Sequence, residues 1–178
     1  MKQIILLGRG GQGAVTSSRV LAIAAFEDGN FSQAFPNFGV ERMGAPVRSY
    51  ARIDKKFINL REQVYEEDYA IVLDATLLSG LTEKVTDTII INSNKTEEEI
   101  KLETKARIRC VDITKVALEV IGKPFVNIAA LGAFAAITKE VSLKGLEKAV
   151  EQQMGNKGPM VEKNLKAIEE VYKLAGGK

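Results

Sequence analysis

Histidine and tryptophan are both absent from this 178-residue chain, and it has a single cysteine, Cys110. Without histidine, the chain lacks the commonest general base and the Ser-His and Cys-His nucleophile pairs. One cysteine can form no internal disulfide and cannot by itself supply the ligands of a zinc ion or an iron–sulfur cluster. We therefore predict no metal site and assign no catalytic residue. We expect any chemistry in which the chain takes part to reside in a cofactor or a partner.

A charge excess of one sign and long apolar runs are also missing. The chain has 25 Lys and Arg residues against 23 Asp and Glu residues, and its net charge of +2 is too balanced for a general nucleic-acid or membrane-surface binder. It has no recognisable signal peptide and no membrane-length apolar segment, so we expect a cytoplasmic protein. The length and the 46% apolar content predict one globular domain over residues 1–178.

A glycine-rich segment near the start organises the rest of the chain. The apolar residues 4–7 predict a buried strand and residues 14–27 predict a helix, so the glycines lie at a strand-to-helix turn. Unpaired N–H groups of a first helical turn carry partial positive charge, and an arginine in the loop adds a guanidinium. We predict a loop that binds phosphate or carboxylate; a purely structural glycine turn is the alternative. The candidate residues are Gly8, Arg9, Gly10, Gly11, Gln12 and Gly13.

A dinucleotide is the usual ligand of a loop with this G-x-G-x-x-G spacing, but the next strand argues against it. An NAD site needs an acidic residue about 20 positions further on, at the tip of the second strand. The candidate second strand, residues 31–35, instead ends at Pro36, and no arginine stands there to suit a 2′-phosphate. We therefore expect another ligand. A free-standing nucleotide-binding or sensory domain that uses NAD or FAD stays open as an alternative.

A second candidate segment, residues 36–46, contains two prolines, two glycines and a Glu-Arg pair, a composition typical of a loop. A loop that leaves the carboxyl end of a strand in an open α/β sheet borders the ligand crevice. We expect this loop to contact another subunit or the active site. A rigid connection with a merely solvated Glu-Arg pair is the alternative. The candidate residues are Phe38, Gly39, Glu41, Arg42, Gly44 and Pro46.

The apolar pattern predicts an α/β fold: a doubly wound, Rossmann-like, mostly parallel sheet with an antiparallel hairpin and a helical C-terminal part. Residues 47–53 alternate in polarity, so we expect a strand with Arg48, Tyr50 and Arg52 on an open face, paired with residues 57–60. Apolar runs at residues 70–73 and 89–91 predict buried parallel strands, joined by a crossover helix over residues 77–85.

Three blocks of the sequence, residues 8–14, 33–47 and 74–78, together resemble the gamma subunit of the 2-oxoacid:ferredoxin oxidoreductases. The resemblance is strongest to the pyruvate and branched-chain 2-oxoacid members, and it continues into residues 127–133. It implies a subunit of an enzyme that decarboxylates a 2-oxoacid on thiamine diphosphate with Mg²⁺. The enzyme passes electrons through [4Fe-4S] clusters to ferredoxin and transfers the acyl group to coenzyme A.

The same resemblance implies that this chain has a supporting part. It has no Gly-Asp-Gly segment of the thiamine diphosphate type and no set of cysteines, so these cofactors are expected on alpha, beta and delta subunits, and the isolated chain is expected to be inactive. The glycine loop with Arg9 is then the expected seat for coenzyme A phosphates. Residues 43–45 read Met-Gly-Ala where related enzymes have Arg-Gly-Gly, which leaves the 2-oxoacid open, with pyruvate first. A purely structural subunit is the remaining alternative.

Overall fold

The computed structural model of the chain describes residues 1–37, 43–81, 84–155 and 158–177. Within these residues, one mixed sheet of six strands packs against five α-helices. The strands are β1 (Lys2–Arg9), β2 (Phe31–Pro36), β3 (Pro46–Asp54), β4 (Glu66–Val72), β5 (Lys84–Asn92) and β6 (Arg107–Val111). The helices are α1 (Ala14–Glu27), α2 (Ile113–Val120), α3 (Val126–Thr138), α4 (Leu143–Met154) and α5 (Pro159–Leu174).

The strand order in the sheet is β2-β3-β1-β4-β5-β6. β1, β4, β5 and β6 are parallel, and β3 runs antiparallel between β1 and β2. The predicted α/β class and mostly parallel sheet are therefore confirmed. Because the carboxyl ends of β1, β4 and β5 meet at one edge, the glycine loop after β1 lies where open α/β sheets bind ligands.

The predicted antiparallel strand is present as β3, but the prediction of its partner is wrong. Residues 57–60 form no strand, and β3 pairs with β2 on one side and β1 on the other, with Phe31 opposite Asp54 and Lys2 opposite Ile53. β3 therefore lies inside the sheet, where both of its edges have backbone hydrogen-bond partners. The partner of β3 was predicted from proximity in the sequence, whereas β1 and β2 pair with β3 across longer distances along the chain.

The face of β3 that was expected to be open is also covered. Arg52 is only 1% exposed, and its guanidinium lies 4.8 Å from the centre of the Phe35 ring. Its Nε donates to Gln3 Oε1 at 3.0 Å, and its Nη2 donates to the Glu62 carbonyl at 2.6 Å. Burial lowers the pKa of Arg52 from its ordinary value. The arginine anchors the segment after β3 over the sheet, because buried guanidinium groups require hydrogen-bond acceptors.

Replacing Arg52 with lysine is expected to lower the free energy of unfolding by about 2 kcal/mol, because one ammonium cannot reach acceptors that the planar guanidinium contacts in several directions. Urea unfolding of the purified chain measures the change. Arg61→Lys, at an exposed position nearby, is the matched control and is expected to leave the midpoint unchanged. Equal midpoints for the two variants would contradict the anchoring role.

The two faces of the sheet are covered differently. Side chains such as Ile4 and Leu6 face a core that contains residues of all five described α-helices, whereas Ile5 faces a second, smaller core. That second core is closed by irregular segments and a 3₁₀ turn, Ala75–Gly80. The predicted crossover helix over residues 77–85 is therefore wrong. Residues 77–80 belong to this 3₁₀ turn, and β5 already begins at Lys84.

Three C-terminal helices begin at residues that are typical of helix N-termini. Asp112 caps α2 by accepting from the Lys115 N–H at 3.0 Å, Ser142 caps α4 by accepting from the Gly145 N–H at 2.8 Å, and Pro159 occupies the first turn of α5. None of the helices in the described part of the chain has both the length and the apolar character needed to cross a bilayer.

Candidate anion-binding site

The glycine loop connects β1 to α1 in a fixed conformation. Gly11 and Gly13 have φ values of 94° and 82°, in the left-handed region that residues with side chains rarely adopt. The Gln12 side chain accepts from the Arg9 N–H at 2.7 Å, and the Gln12 N–H donates to the Arg9 carbonyl at 2.9 Å. The loop is thus shaped by glycine and braced by the side chain of Gln12.

The N-termini of α1 and α3 meet beside this loop. The N-cap residues, Gly13 and Phe125, provide no side-chain hydrogen bond to their helices. The Ser17 hydroxyl contacts the carbonyl of Gly13 at 3.1 Å and that of Asn127 at 2.9 Å, so it ties the two helix starts together. Because no side chain caps either helix, two sets of first-turn N–H groups with partial positive charge point towards the same region.

A cavity of about 480 Å³ lies against the loop and both helix starts. The cavity is also lined by Asn92, the last residue of β5. The amide of Asn92 donates to the Leu73 carbonyl and to the Thr114 hydroxyl, each at 2.9 Å. A larger cavity of about 1010 Å³ shares Asn92 and Thr114 and continues along the same edge. The smaller cavity is lined by Gly11, Gln12, Gly13, Leu73, Asn92, Thr114, Pro124, Phe125, Val126 and Asn127.

Arg9, predicted to be a phosphate ligand, makes a different set of contacts. Its Nε lies 2.8 Å from Asp74 Oδ2, its Nη2 donates to Thr76 Oγ1 at 2.7 Å, and its Nη1 donates to the Gly44 carbonyl at 3.1 Å. Burial alone would raise the pKa of Asp74, but hydrogen bonds from Thr76 and Arg9 outweigh it and hold that pKa below its ordinary value. Asp74 is therefore ionised at neutral pH and paired with Arg9.

The C-terminal end of the second predicted segment, residues 36–46, contacts the glycine loop. Gly44 has a φ of 83°, and its N–H donates to the Gly10 carbonyl at 3.2 Å, while the Gly10 N–H donates to the Ala45 carbonyl at 2.8 Å. Pro46 lies opposite Arg9 in the β1–β3 pairing. The predicted residues Phe38, Gly39, Glu41 and Arg42 lie outside the described residues.

Sequence reasoning did not assign Asn92, Phe125 or Asn127 to the site. Asn92 carried a usable signal, because it ends a parallel strand and the carboxyl ends of such strands share an edge. Phe125 and Asn127 carried none, since α3 reaches the glycine loop only through tertiary packing. Asp74 accepts from the Thr76 N–H at 2.9 Å, and no local pattern in the sequence indicates that it also pairs with Arg9.

The sheet topology disfavours a dinucleotide at this loop. In an NAD site, the second strand of the chain lies parallel beside β1 and ends in an acidic residue next to the glycines. Here the antiparallel β3 separates β2 from β1, and its first residue, Pro46, lies opposite Arg9. Among the residues that the structure describes, no group of three or more His, Cys, Asp or Glu is arranged to hold a metal ion. The geometry favours a different anionic ligand.

Comparisons with known proteins point to one family. The model of the family described as pyruvate ferredoxin/flavodoxin oxidoreductase matches residues 3–174. Pyruvate synthase subunit PorC of Methanosarcina barkeri is 53% identical over 156 residues, which cover 84% of this chain and 85% of the relative. The pyruvate/ketoisovalerate oxidoreductases common subunit gamma of Thermococcus kodakarensis is 45% identical over 179 residues, covering 97% and 96% of the two chains.

A solved structure agrees with these relatives. The crystal structure of pyruvate oxidoreductase subunit PORC from Thermotoga maritima superimposes with a TM-score of 0.85 at 34% sequence identity. The match covers 97% of this chain and 96% of that one. The likeness therefore extends over almost the whole of both chains.

Proposed function

The chain belongs to the pyruvate ferredoxin/flavodoxin oxidoreductase family as a gamma-type subunit, and from this premise we propose that its glycine loop binds an anionic part of coenzyme A. One observation carries the proposal: the starts of α1 and α3, neither of them capped by a side chain, face one cavity beside the loop. Phosphate oxygens are the acceptors that such N–H groups bind best.

The surroundings of the loop favour an extended ligand with several negative charges. The two cavities share the lining residues Asn92 and Thr114, so they lie next to each other along the sheet edge. The larger cavity is lined by three exposed lysines and two acidic residues, so cations are in the majority: Lys95, Lys101 and Lys115 against Glu99 and Asp112. Coenzyme A carries a diphosphate and a separate phosphate on a long flexible molecule, which suits such a groove better than inorganic phosphate does.

We further propose that this chain assembles with alpha, beta and delta subunits in the cytoplasm. Thiamine diphosphate with Mg²⁺ and the [4Fe-4S] clusters would lie on those subunits and supply the decarboxylation and the electron transfer to ferredoxin. The names of the relatives support pyruvate, and after it a branched-chain 2-oxoacid, as the substrate. The part of this chain is to hold and orient coenzyme A as the acyl acceptor.

The segment of residues 36–46 is proposed to form the subunit contact next to this site. Met43 is 92% exposed, which is unusual for a large apolar side chain and is typical of residues that another protein covers. Gly44 and Ala45 hold the end of this segment against Gly10 of the glycine loop. The contact would therefore lie directly beside the coenzyme A site.

Replacing Gln12 with glutamate tests the anion site directly. A glutamate keeps the acceptor for the Arg9 N–H, and its negative charge favours the helix N-termini, so the fold is expected to stay intact. The same charge repels a phosphate by about 1 kcal/mol, so the KM for coenzyme A is expected to rise about fivefold. The measurement is coenzyme A-dependent ferredoxin reduction by the enzyme reconstituted from all its subunits.

Gln3→Glu is the matched control, because it places the same charge at the amino end of β1, beside Arg52. It is expected to leave the KM for coenzyme A unchanged. Omitting this chain from the reconstitution is expected to abolish coenzyme A-dependent turnover. Full activity without the chain would contradict its role as a subunit, and an unchanged KM in the Gln12→Glu enzyme would contradict the anion site.

A purely structural glycine loop is a second candidate that particular contacts favour. A Cβ added at Gly13 would lie 2.5 Å from Asn127 Nδ2, and Gly10 exchanges backbone hydrogen bonds with Gly44 and Ala45. Both positions therefore have packing reasons for glycine. Under this alternative, the Gln12→Glu enzyme would have the same KM for coenzyme A as the unaltered enzyme.

A further inference from the structure

Arg9 links three segments that are distant in the sequence. The segments are the glycine loop itself, the residues around Gly44 that precede β3, and the 3₁₀ turn Ala75–Gly80 after β4. A guanidinium can make several directed hydrogen bonds at once because its donors lie in a rigid plane. Arg9 is thus the point at which these three segments are joined.

Asp74 fixes the orientation of that guanidinium. Its Oδ1 accepts from the Thr76 N–H at 2.9 Å and from the Thr76 hydroxyl at 2.6 Å, which leaves Oδ2 directed at Arg9 Nε at 2.8 Å. The carboxylate cannot rotate without breaking these bonds. The Arg9 and Asp74 side chains are 38% and 20% exposed, so solvent weakens the pair but does not replace it.

We infer that Asp74 is a positioning residue for the coenzyme A site: through Arg9, it holds the glycine loop and residues 43–46 in the geometry that binds the ligand. This inference rests on the function proposed above. Arg9 can have one of two roles. If Arg9 organises the loop, its ion pair with Asp74 supports binding of coenzyme A. If Arg9 is instead a phosphate ligand, the same ion pair holds it away from the phosphate.

The two roles predict opposite effects of replacing Asp74 with asparagine. Removing a carboxylate near an anion site reduces the repulsion of the anion and frees Arg9. If Arg9 is a phosphate ligand, the KM for coenzyme A is therefore expected to fall. If Asp74 positions the loop, its loss is expected to raise that KM. In the reconstituted enzyme, we expect Asp74→Asn to raise the KM for coenzyme A about fivefold and to change kcat and the KM for the 2-oxoacid little, since a charge-assisted hydrogen bond is lost.

Double substitution tests whether Asp74 acts through Arg9. Arg9→Ala is expected to raise the same KM to a similar extent, and the Arg9→Ala/Asp74→Asn enzyme is expected to be no worse than either single variant. Arg9→Lys is not expected to restore the KM, because an ammonium lacks the planar fork that reaches Asp74, Thr76 and Gly44. Fully multiplicative effects on the KM would overturn the inference.

Asp68→Asn is the matched control for general loss of an ion pair. Asp68 lies on the same strand as the residues leading to Asp74 and pairs with Lys2 at 3.0 Å, with side chains that are 25% and 37% exposed. It is expected to lower the melting temperature as much as Asp74→Asn does and to leave the KM unchanged. Thr76→Val is the second variant, for use if Asp74→Asn impairs assembly. It removes one hydrogen-bond partner from Asp74 and one from Arg9 without changing the charge, and it is expected to raise the KM for coenzyme A about twofold.

The outcomes separate this inference from the proposed function. A raised KM in the Gln12→Glu enzyme together with an unchanged or lowered KM in the Asp74→Asn enzyme would overturn the positioning role and leave the coenzyme A site standing. Unchanged KM values in both enzymes would overturn the two together. A rise in both, with no rise in the Asp68→Asn enzyme, supports both.

Discussion

Replacing Gly13 with alanine is expected to raise the KM for coenzyme A by at least about tenfold in the reconstituted enzyme and to lower the free energy of unfolding by about 2 kcal/mol. Gly13 has a φ of 82°, which strains any residue with a Cβ. The added Cβ would also lie 2.5 Å from Asn127 Nδ2, so the side chain of Asn127 has to move. Both effects change the cavity wall where the starts of α1 and α3 meet.

Gly29→Ala provides a closely matched control for the backbone strain. Gly29 has a φ of 80°, and a Cβ built there meets no atom within 4 Å. The position follows the carboxyl end of α1, at the far end of the helix from Gly13. The control is expected to lose about 1 kcal/mol of stability from strain alone, with no change in the KM for coenzyme A.

Comparing the two variants separates binding from folding. Chemical unfolding gives the loss of stability, and steady-state assays at varied coenzyme A give KM and kcat. A Gly13→Ala enzyme that loses stability but keeps its KM would show that the loop packs against α3 without binding the ligand. This outcome would favour the structural alternative for the loop.

Replacing Gly132 with alanine is expected to lower the free energy of unfolding by about 3 kcal/mol. In an ordinary helix interior, this change stabilises a protein by roughly 1 kcal/mol, so the expected sign is reversed. The reason is the contact between α3 and α5, where a Cβ on Gly132 would overlap the Ile168 carbonyl. The obstacle is backbone of a packed helix, which cannot rotate away as a flexible side chain would.

Gly158→Ala is the control for this second prediction. Gly158 is the N-cap of α5 at a φ of −140°, and a Cβ there meets no atom within 4 Å. Its free energy of unfolding is expected to fall by at most about 1 kcal/mol, because alanine is a poorer N-cap than glycine. A Gly132→Ala chain as stable as the Gly158→Ala chain would contradict the close approach of α3 and α5.

Local patterns predicted the parts of the fold that depend on near neighbours in the chain. The apolar run before Gly8 predicted β1, and the pattern of residues 14–27 predicted α1, because both signals involve residues a few positions apart. The resemblance carried by the glycine loop and residues 33–47 predicted the family, which the comparisons confirm.

Two of the errors share one physical origin. The partner of β3 and the cover over Arg52 were misjudged because both depend on segments that meet only after the chain has folded, as in the pairing of β3 with β1 and the contact of Arg52 with Glu62. Alternation of polarity showed which residues share a face of β3. It could not show that another segment would cover that face.

The sequence by itself determined that a glycine turn joins a buried strand to a helix, that histidine chemistry is excluded, and that the chain has the pattern of a gamma-type subunit. The tertiary structure alone decided that α3 starts beside that turn and that Arg9 is held by Asp74. The reason is that a helix start and an ion pair between residues 65 positions apart are selected by packing of the whole sheet edge, which no local pattern of residues encodes.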